Sequence, residues 1–184
     1  AVILKQSSRI RNLINDLNLA SKLEYNMQPI RRTHENAVAI ARQAAVDFMN
    51  LDIDGKHPIE WKTDPELTVC PVFVDKELIL RAVSNLIQNC INHNGGGCTV
   101  YVSVGLNVPS EDCQSKEQGQ GGRYFLRVED DGTGMSADEL QKLNQTPHYM
   151  MCDSNIKDQR HGLGLLIVRQ IAAVHGGNLI IRQS

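Results

Sequence analysis

VEDDGTGM, residues 128–135, decides how this chain is read. It closes the run RYFLRVED (123–130), whose alternation of apolar and polar residues has the period of a strand. Three carboxylates, Glu129, Asp130 and Asp131, then meet two glycines, Gly132 and Gly134. A turn needs one glycine at most, so the second implies close approach of the backbone to a ligand. Ser136 follows with Glu139 three residues on, the pattern of a capping box, and a helix is predicted over 136–143. Residues 132–137 also satisfy G-x-G-x-x-A between a strand and a helix, the dinucleotide pattern. In that fold the loop receives a pyrophosphate, which the adjacent acids would repel. A carboxylate suits a donor instead, such as the exocyclic amine of a purine.

Outward from this stretch, strand and helix periods are mixed without strict alternation. An amphipathic helix is predicted over 1–27, with Ile3, Ile10, Leu13, Leu17, Ala20 and Met27 at steps of three, four or seven. That stripe needs a second copy or a partner helix, unless it lies on its own domain. A helix over about 35–50 follows, then strands in HPIEWKT (57–63) and LTVCPVFV (67–74), a helix over Lys76–His93 and the strand CTVYVSVGL (98–106). The polar, glycine-rich PSEDCQSKEQGQGG (109–122) reads as a hairpin loop. A helix from Leu163 to Val174 stops at Gly176–Gly177, and NLIIRQ (178–183) is predicted as a closing strand. The pattern suits an α+β layered sandwich rather than a doubly wound parallel sheet.

Composition sets outer limits. The 184 residues are 41% hydrophobic, enough for a real core, and the formal charge is −2 with no basic run, so nucleic acid is not an indicated partner. Five cysteines, Cys70, Cys90, Cys98, Cys113 and Cys152, stand singly, which implies reduced thiols in a cytoplasmic setting rather than a disulfide frame or a zinc site. No apolar run approaches the roughly 18 residues of a membrane span. The chain begins without Met or a signal-peptide pattern, as expected of a segment of something longer.

Two further stretches carry chemistry. In SNLIQNCINHN (84–94), Asn85, Asn89 and Asn92 recur at i, i+4 and i+7, forming one polar stripe opposite Val83, Leu86, Ile87 and Cys90. A solvated face normally carries Lys and Glu, better helix formers than Asn. The amide oxygen is instead a neutral hard ligand able to hold Mg²⁺ while its nitrogen donates to phosphate. In RHGLGLLIV (160–168) a Gly-x-Gly stands at the predicted mouth of a helix, where orphan amides and the helix dipole favour phosphate. Lysine is absent from this loop, so it is not a P-loop.

An Asn stripe on a helix, then strand-D-x-G-x-G, then G-x-G-L at a helix resembles the N box and two glycine boxes of the histidine-kinase, gyrase, heat-shock-chaperone and MutL ATPase superfamily. NLIQNCINH, VEDDGTGM and HGLGLLIVRQIAAVHGGNL look most like the catalytic ATP-binding domain of a bacterial two-component sensor histidine kinase. The resemblance implies a Bergerat-type two-layer α/β sandwich, a mixed sheet with helices on one face, preceded by one long helix. It divides the chain into 1–28, similar to the second helix of a dimerization domain, and 29–184, the catalytic domain without its usual last strand.

It also assigns roles. Asp130 would bind the adenine amine directly or through water, Gly132 and Gly134 would form the pocket wall, and Met135 would lie against the base. Asn89 would coordinate Mg²⁺, supported by Asn85, while Asn92 and His93 stand where related kinases often carry a phosphate-binding Lys. Gly162, Leu163, Gly164 and Leu165 would line the triphosphate beneath a lid formed by 145–161, in which only Tyr149 stands in for the usual phenylalanine box. Arg160 or Lys157 would offset charge on the γ-phosphoryl group.

The implied cofactors are ATP and Mg²⁺. The implied partners are a response regulator receiver domain and a second copy of the full-length protein, with any membrane contact made through segments not present here. The acceptor histidine is expected upstream of residue 1; His34, though followed by Glu35, comes after the wrong helix. The alternatives are an ATPase or anti-sigma serine kinase of the same superfamily, or a module that has kept the fold and lost nucleotide.

Overall fold

The computed structural model describes residues 2–50, 55–107, 123–145 and 159–183. In chain order these form α1 (Val2–Glu24), β1 (Thr33–Asn36), α2 (Ala37–Met49), β2 (Ile59–Trp61), β3 (Pro71–Val74), α3 (Lys76–His93), β4 (Val100–Asn107), β5 (Arg123–Asp130), α4 (Ala137–Gln145) and α5 (Gln159–Val174).

The apolar alternation of β4 makes it the centre of a mixed sheet ordered β2-β4-β5. It pairs in parallel with β2, Ile59 opposite Val100, and antiparallel with β5, Val100 opposite Asp130. Val100, Val102 and Val104 point inward and are buried; Tyr101, Ser103 and Gly105 point the other way. Against the inward face lie Ala41, Ala44 and Ala45 of α2 with Val83 and Ile87 of α3. Alanines along α2 let that helix approach the valines closely, and the result is the two-layer α+β sandwich read from the sequence. On the open face, a Cβ at Gly105 would fall 2.5 Å from the ring of Phe125, its partner on β5, so the aromatic covers the glycine.

Helix α5 adds a second cluster, packing Leu166, Ile167 and Ile171 against Leu78 of α3 and Ala20 and Leu23 of α1. An ion pair between Asp16 of α1 and Arg81 of α3 reinforces the seam. Of the stripe read along α1, Ala20 is buried with Leu23 against α5, whereas Leu17 is 59% exposed; Met27, 72% exposed, lies beyond the end of the helix.

Four boundaries also differ from expectation. Residues 33–36 form a strand, antiparallel to β3 as a separate two-stranded ribbon, and α2 begins only at Ala37. Asn36 sets this boundary: its Oδ1 accepts from Val38 N–H at 3.1 Å and Cys70 N–H at 2.9 Å, capping the helix and tying it to the loop before β3. Of LTVCPVFV only Pro71–Val74 is a strand, and it lies outside the main sheet. Helix α5 begins at Gln159 rather than Leu163, so its glycines lie within the helix and not before it. NLIIRQ keeps the burial alternation of a strand, Leu179 and Ile181 half-buried with Ile180 and Arg182 exposed, but is not one. Alternation is a local property, whereas a strand needs a ladder of hydrogen bonds to a neighbour.

Helix α4 carries the predicted capping box. Ser136 Oγ accepts from Glu139 N–H at 3.3 Å, and Glu139 Oε2 accepts from Ser136 N–H at 2.9 Å. The hairpin loop 109–122 and most of the expected lid, 146–158, lie outside the described residues.

Candidate functional site

The ends of β5 and α3 converge, and there the three acids part company. Glu129 lies on the open face of the sheet, 3.8 Å from Arg127. Asp131 ties β5 to β4: its Oδ1 accepts from Thr99 N–H at 2.7 Å and its Oδ2 from the Tyr101 hydroxyl at 3.5 Å. Hydrogen bonding from Thr99 holds its carboxyl below the ordinary value. Asp130 alone turns toward α3.

Asp130 is half-buried, and its Oδ1 accepts from the Gly132 N–H at 3.1 Å and from Asn94 Nδ2 at 3.0 Å. Asn94 is the C-cap of α3 and is buried. Its Nδ2 also donates to the Cys90 carbonyl at 2.9 Å, and its Oδ1 accepts from Thr133 N–H at 3.1 Å. A Cβ at Gly132 would fall 1.9 Å from Asn94 Oδ1, so glycine is imposed there by contact. At Gly134 it is imposed by conformation, φ being +69°. Met135 is half-buried, and Gln183 Nε2 comes within 3.4 Å of where a Gly134 Cβ would lie. Burial, then the charge of Asp130, pushes the Cys90 thiol far above its ordinary value, and burial raises Cys98 as well.

Further back along α3, Asn85 and Asn89 are half-buried, and the Nδ2 of each is buried with no hydrogen-bond partner among the described residues. Leaving such an amide unpaired costs about 1–3 kcal/mol, so two on one helix face point to a ligand that would satisfy them. Across from Asn89 stands Gly164 of α5, where a Cβ would lie 3.5 Å from Asn89 Oδ1. Asn89 and Asn94 are separated by about 7.5 Å of helix rise. A carboxylate is therefore held at the end of α3, with unpaired amides on the helix a turn and more earlier.

Other predicted residues scatter around this line. Asn92 is exposed and accepts from Gln88 Nε2 at 3.0 Å, turned along the outer face of α3; His93 is exposed as well. Leu163, Gly164 and Leu165 are half-buried on α5, while Arg160 and Gly162 fall in its first turn. Lys157 and Tyr149 lie outside the described residues. His34 lies on β1 with its ring 5.0 Å from that of Phe73. Sequence reading overlooked Asn94, whose only local sign was an Asn between the end of a helix and three glycines.

Residues 74–184 match the family described as histidine kinase-, DNA gyrase B-, and HSP90-like ATPase. The chain is 24% identical to the sensor histidine kinase YvrG of Bacillus subtilis over 178 residues, 97% of this chain but 28% of that protein. Among solved structures, full-length ShkA in complex with AMPPNP superposes with a TM-score of 0.67 at 18% identity, covering 94% of this chain and 32% of that one. Histidine kinase ThkA in complex with the response regulator TrrA gives 0.62 at 20% identity, covering 96% of this chain and 43% of that one.

Proposed function

The chain belongs to the histidine kinase-, DNA gyrase B- and HSP90-like ATPase family, and on that premise we propose that it is the ATP-binding catalytic domain of a sensor histidine kinase. The observation that carries this reading is the combination of Asp130, held by Asn94 at the end of α3, with the unpartnered amides of Asn85 and Asn89 on that helix, Asn89 facing Gly164. A relative named as a sensor kinase matches across 97% of the chain, α1 included, which favours this reading over an anti-sigma kinase.

In this reading Asp130 accepts from the adenine amine, with Gly132, Gly134 and Met135 walling the base. Asn89 and Asn85 face the phosphates, with Gly164 of α5 across from Asn89. The first turn of α5, with Gly162, directs the positive end of its dipole to the same region, flanked by Leu163 and Leu165. Arg160, in that turn, keeps the charge-offsetting role that the resemblance carries. The donor sets fit Mg²⁺ as well: a neutral amide oxygen on Asn89 suits a hard cation. When bound, the ion would neutralise charge on the phosphates. The γ-phosphoryl group passes to an imidazole nitrogen of an acceptor histidine on a preceding helix. A P–N bond forms as the bond to the bridging oxygen of ADP breaks.

The full-length protein then acts as a homodimer through the segment 1–28 that carries α1, in the cytoplasm, and passes phosphate to a receiver domain. ThkA, solved with its response regulator, supports that partner class. No described helix is long and apolar enough to cross a membrane.

Calorimetric titration with AMPPNP, with and without Mg²⁺, against GTP and NADH tests the reading. Adenine-selective binding strengthened by Mg²⁺ is expected. Binding of NADH in preference, or of no nucleotide at all, would overturn it.

A further inference from the structure

We propose that Asn94 is a positioning residue for nucleotide recognition, acting through Asp130 rather than on the ligand, a role that rests on Asp130 being the acceptor for adenine. Its amide has only one consistent orientation. The Thr133 N–H, 3.1 Å from Oδ1, can only donate, and the Cys90 carbonyl, 2.9 Å from Nδ2, can only accept. The second hydrogen on Nδ2 is therefore directed at Asp130 Oδ1, 3.0 Å away. The residue's backbone is pinned too: its N–H donates to Cys90 O at 3.2 Å, and its carbonyl accepts from Gly97 N–H at 2.8 Å and His57 Nε2 at 2.9 Å.

One buried side chain thus fastens three things that sequence separates: the last turn of α3, the glycine loop and the carboxylate. No other residue type of this size does all three. A serine or threonine has one donor, a leucine none, and an aspartate would set a second carboxylate against Asp130. Without Asn94, Asp130 Oδ1 keeps only the Gly132 N–H, two residues along its own chain, and the plane of the carboxylate is no longer set by α3. The consequence falls on recognition of the exocyclic amine and spares the phosphate end of the helix.

The experiment compares AMPPNP with purine riboside triphosphate, which lacks that amine, by calorimetry on the wild-type chain and on Asn94→Ala, Asp130→Asn and the double variant. Asn94→Ala is expected to weaken AMPPNP about tenfold while leaving purine riboside triphosphate within about twofold of wild type. In the Asp130→Asn background it should add nothing. Should the alanine variant fail to fold, Asn94→Asp, nearly the same size, carries the same comparison and is expected to lose at least as much. Equal losses for both nucleotides, additive losses in the double variant, or no loss would each overturn the role. A wild-type chain that binds AMPPNP and does not discriminate between the two nucleotides would instead remove Asp130 as the adenine acceptor, and the positioning role with it.

Discussion

The two ends of α3 are fastened by the same chemistry to different purposes. At the first, Asp75 is buried and caps the helix, its Oδ1 accepting from Leu78 N–H at 3.2 Å and its Oδ2 from Arg31 N–H at 2.9 Å. The Asp75 N–H donates to His175 Nε2 at 3.0 Å, while His175 Nδ1 donates to the Ile171 carbonyl at 2.7 Å. That cap joins the linker after α1 to the end of α5, and the Arg32 guanidinium on Val174 O adds to it. At the other end, Asn94 joins α3 to the loop that carries Asp130. A charged cap serves the end that holds elements together. A neutral amide serves the end that must orient a carboxylate without repelling or neutralising it.

Breaking the second end should have the larger effect on ligand. Gly132→Ala would put a methyl 1.9 Å from Asn94 Oδ1, displacing Asn94 or the loop. AMPPNP affinity is expected to fall by about a hundredfold, against a stability loss of about 1–3 kcal/mol for overpacking. Calorimetry beside denaturant unfolding measures both; an affinity that tracks stability alone would erase the distinction between the ends.

Breaking the first end should do the reverse. Asp75→Ala removes a helix cap and its tie to the linker, with an expected cost of about 1–2 kcal/mol in urea unfolding and unchanged AMPPNP affinity. Loss of affinity there would mean that the two ends are coupled through the helix.

A smaller effect sharpens the contrast within the acidic triplet. Asp131 has a lowered folded pKa, so its contribution to stability is present above the unfolded carboxylate value, about 4, and is lost as pH falls through the folded value. Asp131→Asn lacks that contribution. Its stability should decline less steeply than that of wild type on acidification below about pH 4, as followed by circular dichroism. Equal slopes would show that the Thr99 bond does not link to folding.

The smallest effect is expected at Asn92. Exposed and bonded only locally to Gln88, its replacement by Ala should change stability by less than about 0.5 kcal/mol and AMPPNP affinity by less than about threefold. A loss as large as that of Asn89→Ala would restore it to the ligand-facing stripe.

The stripe shows how far sequence carried. A spacing of i, i+4, i+7 placed Asn85, Asn89 and Asn92 on one side of α3, and the first two do share buried, unpartnered amides. At the last turn Gln88 drew Asn92 along the outer face, a side-chain choice that backbone period does not encode. The capping box at Ser136 and Glu139 was legible because both partners lie within one turn. The strand at 33–36 was not, since in THEN only Thr33 favours a strand and the pairing with PVFV decides it.

By itself the sequence determined most of the element types, the α+β class and the three stretches that converge on the site, because periodicity, capping and glycine placement act between residues a few positions apart. Tertiary structure decided which of three adjacent acids faces α3, that Gly164 stands opposite Asn89, and that Asn94 holds Asp130 across 36 residues of chain. Those contacts exist only once the sheet and α3 have packed, and no local pattern specifies the partner of a hydrogen bond that long-range packing brings within reach.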